Sequence, residues 1–206
     1  MKDIEPVIQL APKDKTAAVQ VLTRAFHDDP LYVRLIPDEQ ERLQCLSWLW
    51  EATIHTSLIL GEVYTTPLLQ GVACWMAPSQ SDMSLWQMVR TGFALPRAVM
   101  RYRPETRQRF LEVVSLIDRV RHKVMTSKYW YLWALGVEPA YQGQGIGGLL
   151  LQPILKRADD TDIPCYLETE TERNIKFYQK HGFYVVHEEH ITWLDQKVWM
   201  LRREPK

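Results

Sequence analysis

Two hydrophobic periods alternate along this chain, and the places where one gives way to the other outline its elements. Residues 6–10 read as a short opening strand. Over residues 11–26, Ala18, Val19, Leu22 and Phe26 recur at helical spacing and predict an amphipathic helix, ended by the His-Asp-Asp-Pro run at 27–30. Asp38 and Glu41 read as a capping box with Asp in place of Ser or Thr. The helix behind them puts Leu43, Leu46, Trp50 and Ile54 on one face and closes at Gly61. Residues 62–66 and 70–76 then read as a hairpin around Pro67.

From 78 to 128 the helical period returns. Trp86, Val89 and Phe93 share one predicted face, Phe110, Val113, Val114, Ile117 and Val120 share another, and Pro96 and Pro104 punctuate the stretch. Residues 129–137, YWYLWALGV, read as a buried central strand stopped by Pro139. A glycine-rich loop comes next. The helix after it runs through Leu149, Leu150, Ile154 and Leu155, with Pro153 expected to kink it. Residues 164–169 form the next strand, and 174–181 a short helix closed by Gly182; 183–190 and 198–202 are two last strands. The pattern predicts one α/β domain over 1–206, a sandwich with a mixed sheet built mainly in its C-terminal half and a helical insert (about 78–128) between the third and fourth strands.

Composition narrows the class. A formal net charge of zero argues against a general nucleic-acid binder. Cys45, Cys74 and Cys165 are scattered and fit reduced thiols of a cytoplasmic protein rather than a disulfide framework or metal knuckle. No apolar run approaches the ~20 residues of a membrane span, and the opening MKDIEPVIQL lacks a signal-peptide core. The arginine-rich stretch 97–123 reads as a solvated helix face, or else as an attractor of phosphates or an acidic acceptor.

Four of the nine glycines fall in YQGQGIGG, 141–148. A loop leaving a strand and opening a helix offers unpaired N–H groups and a positive dipole end to an anion. G-x-G-x-x-G through Gly143, Gly145 and Gly148 suggests a dinucleotide. Q-x-x-G-x-G through Gln142, Gly145 and Gly147 suggests coenzyme A. Placement disfavours the dinucleotide, because five residues including Pro139 separate the strand from Gly143, and only about sixty residues remain after the loop.

The segments LGVEPAYQGQGIGGLLL (135–151), YLETETERN (166–174) and NIKFYQKHGF (174–183), in this order and spacing, resemble the GNAT superfamily of acyl-CoA-dependent N-acyltransferases. The YLET…RN…FY…HGF run, VACWMAP (72–78) and the helical insert are similar to its branch that includes puromycin N-acetyltransferase. The resemblance implies a mostly antiparallel sheet with helices on both faces and a central strand splayed from its neighbour, with the backbone of Leu135, Gly136 and Val137 pairing with the pantetheine arm of acetyl-CoA. It implies a pyrophosphate loop of Gln142, Gly143, Gln144, Gly145, Ile146 and Gly147, with Gly148 beside them, and a coenzyme contact at Asn174. Phe177 reads as a plain core aromatic and is also counted among the coenzyme-binding residues, and the resemblance implies Tyr178 as the general acid. Gln142 stands where many relatives carry Arg.

Acetyl transfer needs a neutral amine, although a lysine-like amine has a pKa near ~10.4. It also needs a donor to the thioester oxygen and a proton for the departing thiolate. A backbone N–H near Val137 and the Tyr178 hydroxyl fit the last two. The central strand lacks Asp and Glu, so Glu168, near the C-terminal end of the next strand, is the candidate base, with Glu170 ranked behind it. His181 reads as a cation suited to a helix C-terminus. His187 and His190 face opposite sides of a strand, so no metal is expected. Cys165 reads as a small apolar core residue, and Trp75, Trp86, Trp130 and Trp133 are candidate walls of an acceptor pocket. The resulting expectation is a cytoplasmic acetyl-CoA-dependent N-acetyltransferase acting on a small-molecule primary amine in a ternary complex, as a monomer or homodimer, with no nucleic acid or membrane partner. A non-catalytic acyl-CoA sensor and a nicotinamide-dependent oxidoreductase are the alternatives.

Overall fold

Runs of β-branched and aromatic residues between breakers become seven strands in one sheet. The computed structural model describes residues 6–78, 80 and 84–206; the readings of residues 1–5 and of the insert's positions 79 and 81–83 lie outside the described residues. The strands are β1 (Ile8–Gln9), β2 (Gly61–Thr65), β3 (Gly71–Met76), β4 (Trp130–Val137), β5 (Cys165–Thr169), β6 (Tyr184–Ile191) and β7 (Gln196–Arg203), in the order β1-β2-β3-β4-β5-β7-β6. Every neighbouring pair is antiparallel except β4 and β5.

Helices cover both faces. They are α1 (Lys15–Phe26), α2 (Pro30–Leu35), α3 (Glu39–Leu60), α4 (Leu85–Arg90), α5 (Ala94–Met100), α6 (Pro104–Val124), α7 (Ile146–Thr161) and α8 (Glu172–Gln179). In β3 all six residues are buried, as a strand covered on both faces requires. Val72 and Cys74 pack with Leu22 of α1 and Ile54 of α3, while Ala73 and Trp75 pack with Leu150 and Ile154 of α7. The period of two thus sorts alternate residues into two cores. Helices α4, α5 and α6 form the insert between β3 and β4.

Several local readings change. The His-Asp-Asp-Pro run ends α1 at Phe26 as read, and its Asp-Pro also does something the reading did not give it. It starts α2, with Asp29 Oδ1 accepting from Leu31 N at 3.0 Å and Pro30 at the first helical position. Asp38 caps α3 by accepting from Glu41 N at 2.7 Å, but the reciprocal half of the box is missing. The Glu41 carboxylate instead accepts from Thr106 Oγ1 at 2.6 Å and pairs with Arg103 at 2.9 Å. The complete box is Ser84 with Gln87, at the head of α4. Trp86, Val89 and Phe93 do not form a core face, being 70%, 50% and 40% exposed. Helix α4 stops at Arg90, and Gly92 and Phe93 take left-handed φ of 61° and 55°, which breaks the phase that would align Phe93 with Trp86. Pro153 lies inside helix α7, where it was read. Among the described residues no helix is long and apolar enough to cross a membrane.

The site depends most on the β4–β5 contact. The two strands pair only at Trp130–Cys165, Tyr131–Tyr166 and Leu132–Leu167. Beyond Leu132 they part, and β4 continues to Val137 without a partner on its β5 side.

Candidate active site

The parting of β4 and β5 opens a wedge, and the ladder on the other side of β4 fixes which groups face it. Glu138 N donates to Gln70 O at 2.9 Å, and the register continues through Gly71–Val137 and Val72–Gly136. Antiparallel ladders alternate, so the backbone groups of Gly136 turn toward β3 and those of Leu135 and Val137 toward the wedge. Gln142 Nε2 donates to Val137 O at 3.1 Å, which ties the glycine loop to the strand end. Of the three expected backbone positions, Leu135 and Val137 are therefore placed to meet a ligand. Gly136 serves packing: a Cβ there would lie 2.7 Å from Leu22 and 3.0 Å from Ala25 of α1.

The glycines of the loop divide in two. Gly143 and Gly145 have φ of 76° and 86° and open space where a Cβ would stand, so they shape the turn. Gly145 begins α7 without a side-chain cap, leaving the first N–H groups of the helix, from Ile146 onward, directed at the exposed loop. Gly147 and Gly148 let α8 approach. A Cβ on Gly147 would meet Phe177 at 3.3 Å, and one on Gly148 would meet the His181 ring at 3.0 Å. Phe177 stacks edge-on against Tyr178 and His181 with centroids 5.0 and 4.9 Å apart, so its visible role is α7–α8 packing. Gln144 Nε2 donates to Ala140 O at 3.3 Å within the loop.

Inside the wedge lies a cavity of about 580 Å³. Glu168, Glu170, Asn174, Tyr178 and Leu135 all line it, so the candidate acid and both candidate bases share one space. Glu168 lies just past the last paired position of β5. Burial pushes its carboxyl up to about 7, tempered by the nearby Tyr131 hydroxyl, Arg121 and the Tyr166 hydroxyl. Glu168 is partly buried and borders the cavity. Its Oε1 and the Tyr166 hydroxyl reach no hydrogen-bond partner, so the influence of Tyr166 is one of proximity. Burial, with the charge of Glu170, also holds the Tyr178 phenol above its ordinary pKa, so it stays protonated.

Neighbouring groups hold this arrangement. Asn174 Nδ2 donates to Thr169 Oγ1 at 3.0 Å, fixing the turn from β5 into α8, and Gln196 Nε2 donates to Glu170 O at 2.9 Å. Arg121 donates to Asp118 Oδ1 and to the Tyr129 hydroxyl, each at 2.7 Å, and lies over the Tyr131 ring.

Other candidates fall elsewhere. His181 is not a helix-end cation: burial, then Arg203 and Lys180, depress its pKa, and it packs on Gly148. Trp75 is in the core, Trp130 packs under Arg157, and Trp86 faces outward; of the four tryptophans considered, Trp133 lines the cavity. Burial raises the Cys165 thiol to about 12, as suits a core residue. Among the described residues no group of three His, Cys, Asp or Glu side chains is arranged to hold a metal. The sequence reading missed Asp29, Tyr32 and Trp50, which also line the cavity. An Asp-Pro pair ahead of a short apolar run was the available signal.

Residues 100–183 match the family model described as Acetyltransferase (GNAT) family; the match runs from the end of α5 through α8 and contains β4, the glycine loop and β5. An uncharacterized N-acetyltransferase of Schizosaccharomyces pombe is 29% identical over 202 residues, which are 94% of this chain and 81% of that protein. Among solved structures, the protein of Corynebacterium glutamicum described as histone acetyltransferase HPA2 and related acetyltransferase superposes with a TM-score of 0.68 at 22% identity, over 98% of this chain and 97% of that one. Arylalkylamine N-acetyltransferase 2 of Aedes aegypti superposes with a TM-score of 0.63 at 12% identity, over 97% and 98% of the two chains. At these identities the structures share the fold.

Proposed function

We propose that this chain, whose residues 100–183 match the model of the GNAT acetyltransferase family, moves an acetyl group from acetyl-CoA to a primary amine of a small molecule by direct attack in a ternary complex. The observation that carries the reading is the convergence of Glu168 and Tyr178 on one cavity at the mouth of the β4–β5 wedge. The outward-facing backbone of Leu135 and Val137 and the uncapped start of α7 suit the pantetheine and pyrophosphate of the coenzyme. Glu168 takes the amine proton, directly or through water, since a carboxyl near 7 is a competent base at neutral pH. The neutral nitrogen attacks the thioester carbon. The Val137 N–H, turned into the wedge, donates to the carbonyl oxygen as charge develops on it, and Tyr178 protonates the leaving sulfur.

The acceptor class is read from the walls. Met88, Leu95, Phe110 and Ile117 of the insert roof the cavity and leave room for a compact body. The resemblance to the branch that includes puromycin N-acetyltransferase, and the fold shared with an arylalkylamine N-acetyltransferase, favour an aromatic or xenobiotic amine.

Titration calorimetry with acetyl-CoA, with NADH as control, is the first test. Acetyl-CoA binding without NADH binding is expected, and then acetyl transfer across an amine panel. The reverse preference would overturn the reading in favour of dinucleotide chemistry. Coenzyme binding without turnover on any amine would favour a sensor. In active protein, Tyr178→Phe is expected to lower kcat about a hundredfold, and undiminished turnover would remove Tyr178 from its role.

A further inference from the structure

One corner of the cavity is not used by the acetyl-transfer chemistry. Asp29, at the α1–α2 junction, and Glu170, just past β5, both line it, although 141 positions separate them in the sequence. Each is fixed from behind. Leu31 N donates to Asp29 Oδ1 at 3.0 Å, and Gln196 Nε2 holds the Glu170 carbonyl at 2.9 Å. Next to them three aromatic rings also line the cavity: Phe26 and Trp50 with centroids 4.6 Å apart, Tyr32 and Trp50 at 5.9 Å, and Phe26 and Tyr32 at 6.1 Å. Carboxylates beside aromatic faces are the surroundings an organic ammonium seeks, with hydrogen bonds to the oxygens and its C–H and N–H edges against the rings.

The charge balance points the same way. Of the two cations that line the cavity, both on α6, Arg121 is matched by Asp118 at 2.7 Å, which leaves Arg107. Set against Arg107, the carboxylates of Glu168, Asp29 and Glu170 leave an acidic surplus. Burial raises Asp29 to about 6 and, together with the Asp29 and Glu168 charges, lifts Glu170 well above the ordinary carboxylate range. The pair therefore retains a proton near neutral pH and presents about one negative charge.

We propose that Asp29 and Glu170 are the seat of the acceptor's ammonium group, and that they select compact apolar or aromatic amines carrying no carboxylate. In its naming of an acceptor this rests on the acetyl-transfer reading, but the seat itself is a binding site that can be measured alone. An α-carboxylate on the incoming molecule meets the carboxylate pair and is repelled, so an amine and its parent amino acid are told apart.

The test is calorimetric binding of phenethylamine, with phenylalanine as its carboxylate-bearing counterpart, to the full chain alone and to the full chain saturated with coenzyme A. Phenethylamine is expected to bind in at least one of the two forms, and phenylalanine at least about tenfold more weakly. D29N and E170Q each leave one carboxylate to carry the charge, so each is expected to weaken phenethylamine a few-fold, and the double variant, which keeps neither, about tenfold or more. Asn at position 29 keeps an oxygen to cap α2; should the double variant nonetheless melt early, the few-fold loss in E170Q decides. Unchanged phenethylamine affinity in the folded double variant, or in E170Q where the double variant does not fold, overturns the proposal, as does equal binding of phenylalanine or no binding of phenethylamine. If the charge dependence holds while acetyl-CoA and coenzyme A fail to bind, the acetyl-transfer reading falls and the ammonium seat stands.

Discussion

With Glu168 as the proposed base, catalysis and stability are expected to pull against each other at this residue. Its carboxyl titrates near 7 in the folded chain against an ordinary 4.5. The folded state therefore holds the proton more tightly than the unfolded one. The stability this contributes is complete below about 4.5 and is lost as pH rises through about 7. Activity runs the other way, because the base works ionised, so kcat/KM is expected to climb through pH 7. Glu168→Gln should flatten the decline in melting temperature between pH 5 and 8 and lower kcat/KM about a hundredfold or more. Equal pH dependence of melting in variant and parent would show that Glu168 does not titrate there. At this scale Glu168 and Tyr178 were legible, because one ends a strand and the other sits in a recognisable N-x-x-F-Y segment. Asp29 was not. The His-Asp-Asp-Pro run reads as a stop, which it is for α1, and only the folded chain shows that it also starts α2 by giving Leu31 N an acceptor.

Among elements, the α7–α8 contact carries the clearest tests. The four loop glycines look alike in sequence but fail differently when replaced. Gly145→Ala puts a Cβ into open space at φ 86°, so it should destabilise by about 1–2 kcal/mol from backbone strain alone. In denaturant titration no second-site change at α8 should repair it. Gly148→Ala instead drives a methyl group against the His181 ring, 3.0 Å away. That variant should be substantially restored by His181→Ala, in both stability and acetyl-CoA affinity. Equal behaviour of the two glycine variants would erase the distinction. The order and type of the C-terminal elements were readable because strand runs, a glycine loop and Gly182 mark their ends. The insert was harder. Helix α4 is six residues long, too short for a period to establish itself, and the left-handed Phe93 shifts the phase of α5 relative to it.

For the whole molecule, sequence pattern gave the layer order, because β3 and β4 are apolar on both faces and need helices on each. It did not give the outward face of α4. Trp86, exposed over 70% of its surface, contributes little to the core, and Trp86→Ser should change unfolding free energy by no more than about 0.5 kcal/mol. Arg203 is the opposite case. It is 4% exposed, and its guanidinium meets Asp159 at 2.7 and 2.8 Å and the His181 carbonyl at 3.1 Å, pinning β7 to α7 and the end of α8. Arg203→Ala should cost about 3–5 kcal/mol, measured by the same denaturant titration.

The three residue pairs between β4 and β5 also give the sheet a mechanical character. Strands β1 to β4 and strands β5 to β7 have the layout of a clothes-peg's two jaws, joined at Trp130–Leu132 and parted beyond it. A guest seated beyond the joint is expected to act as a spacer, leaving the jaws loose at the tip and firm at the root when it departs. Amide hydrogen exchange should map that gradient along β4, fast at Leu135 and Val137 and slow at Tyr131 in the empty protein. Acetyl-CoA should slow the tip and leave the joint as it was.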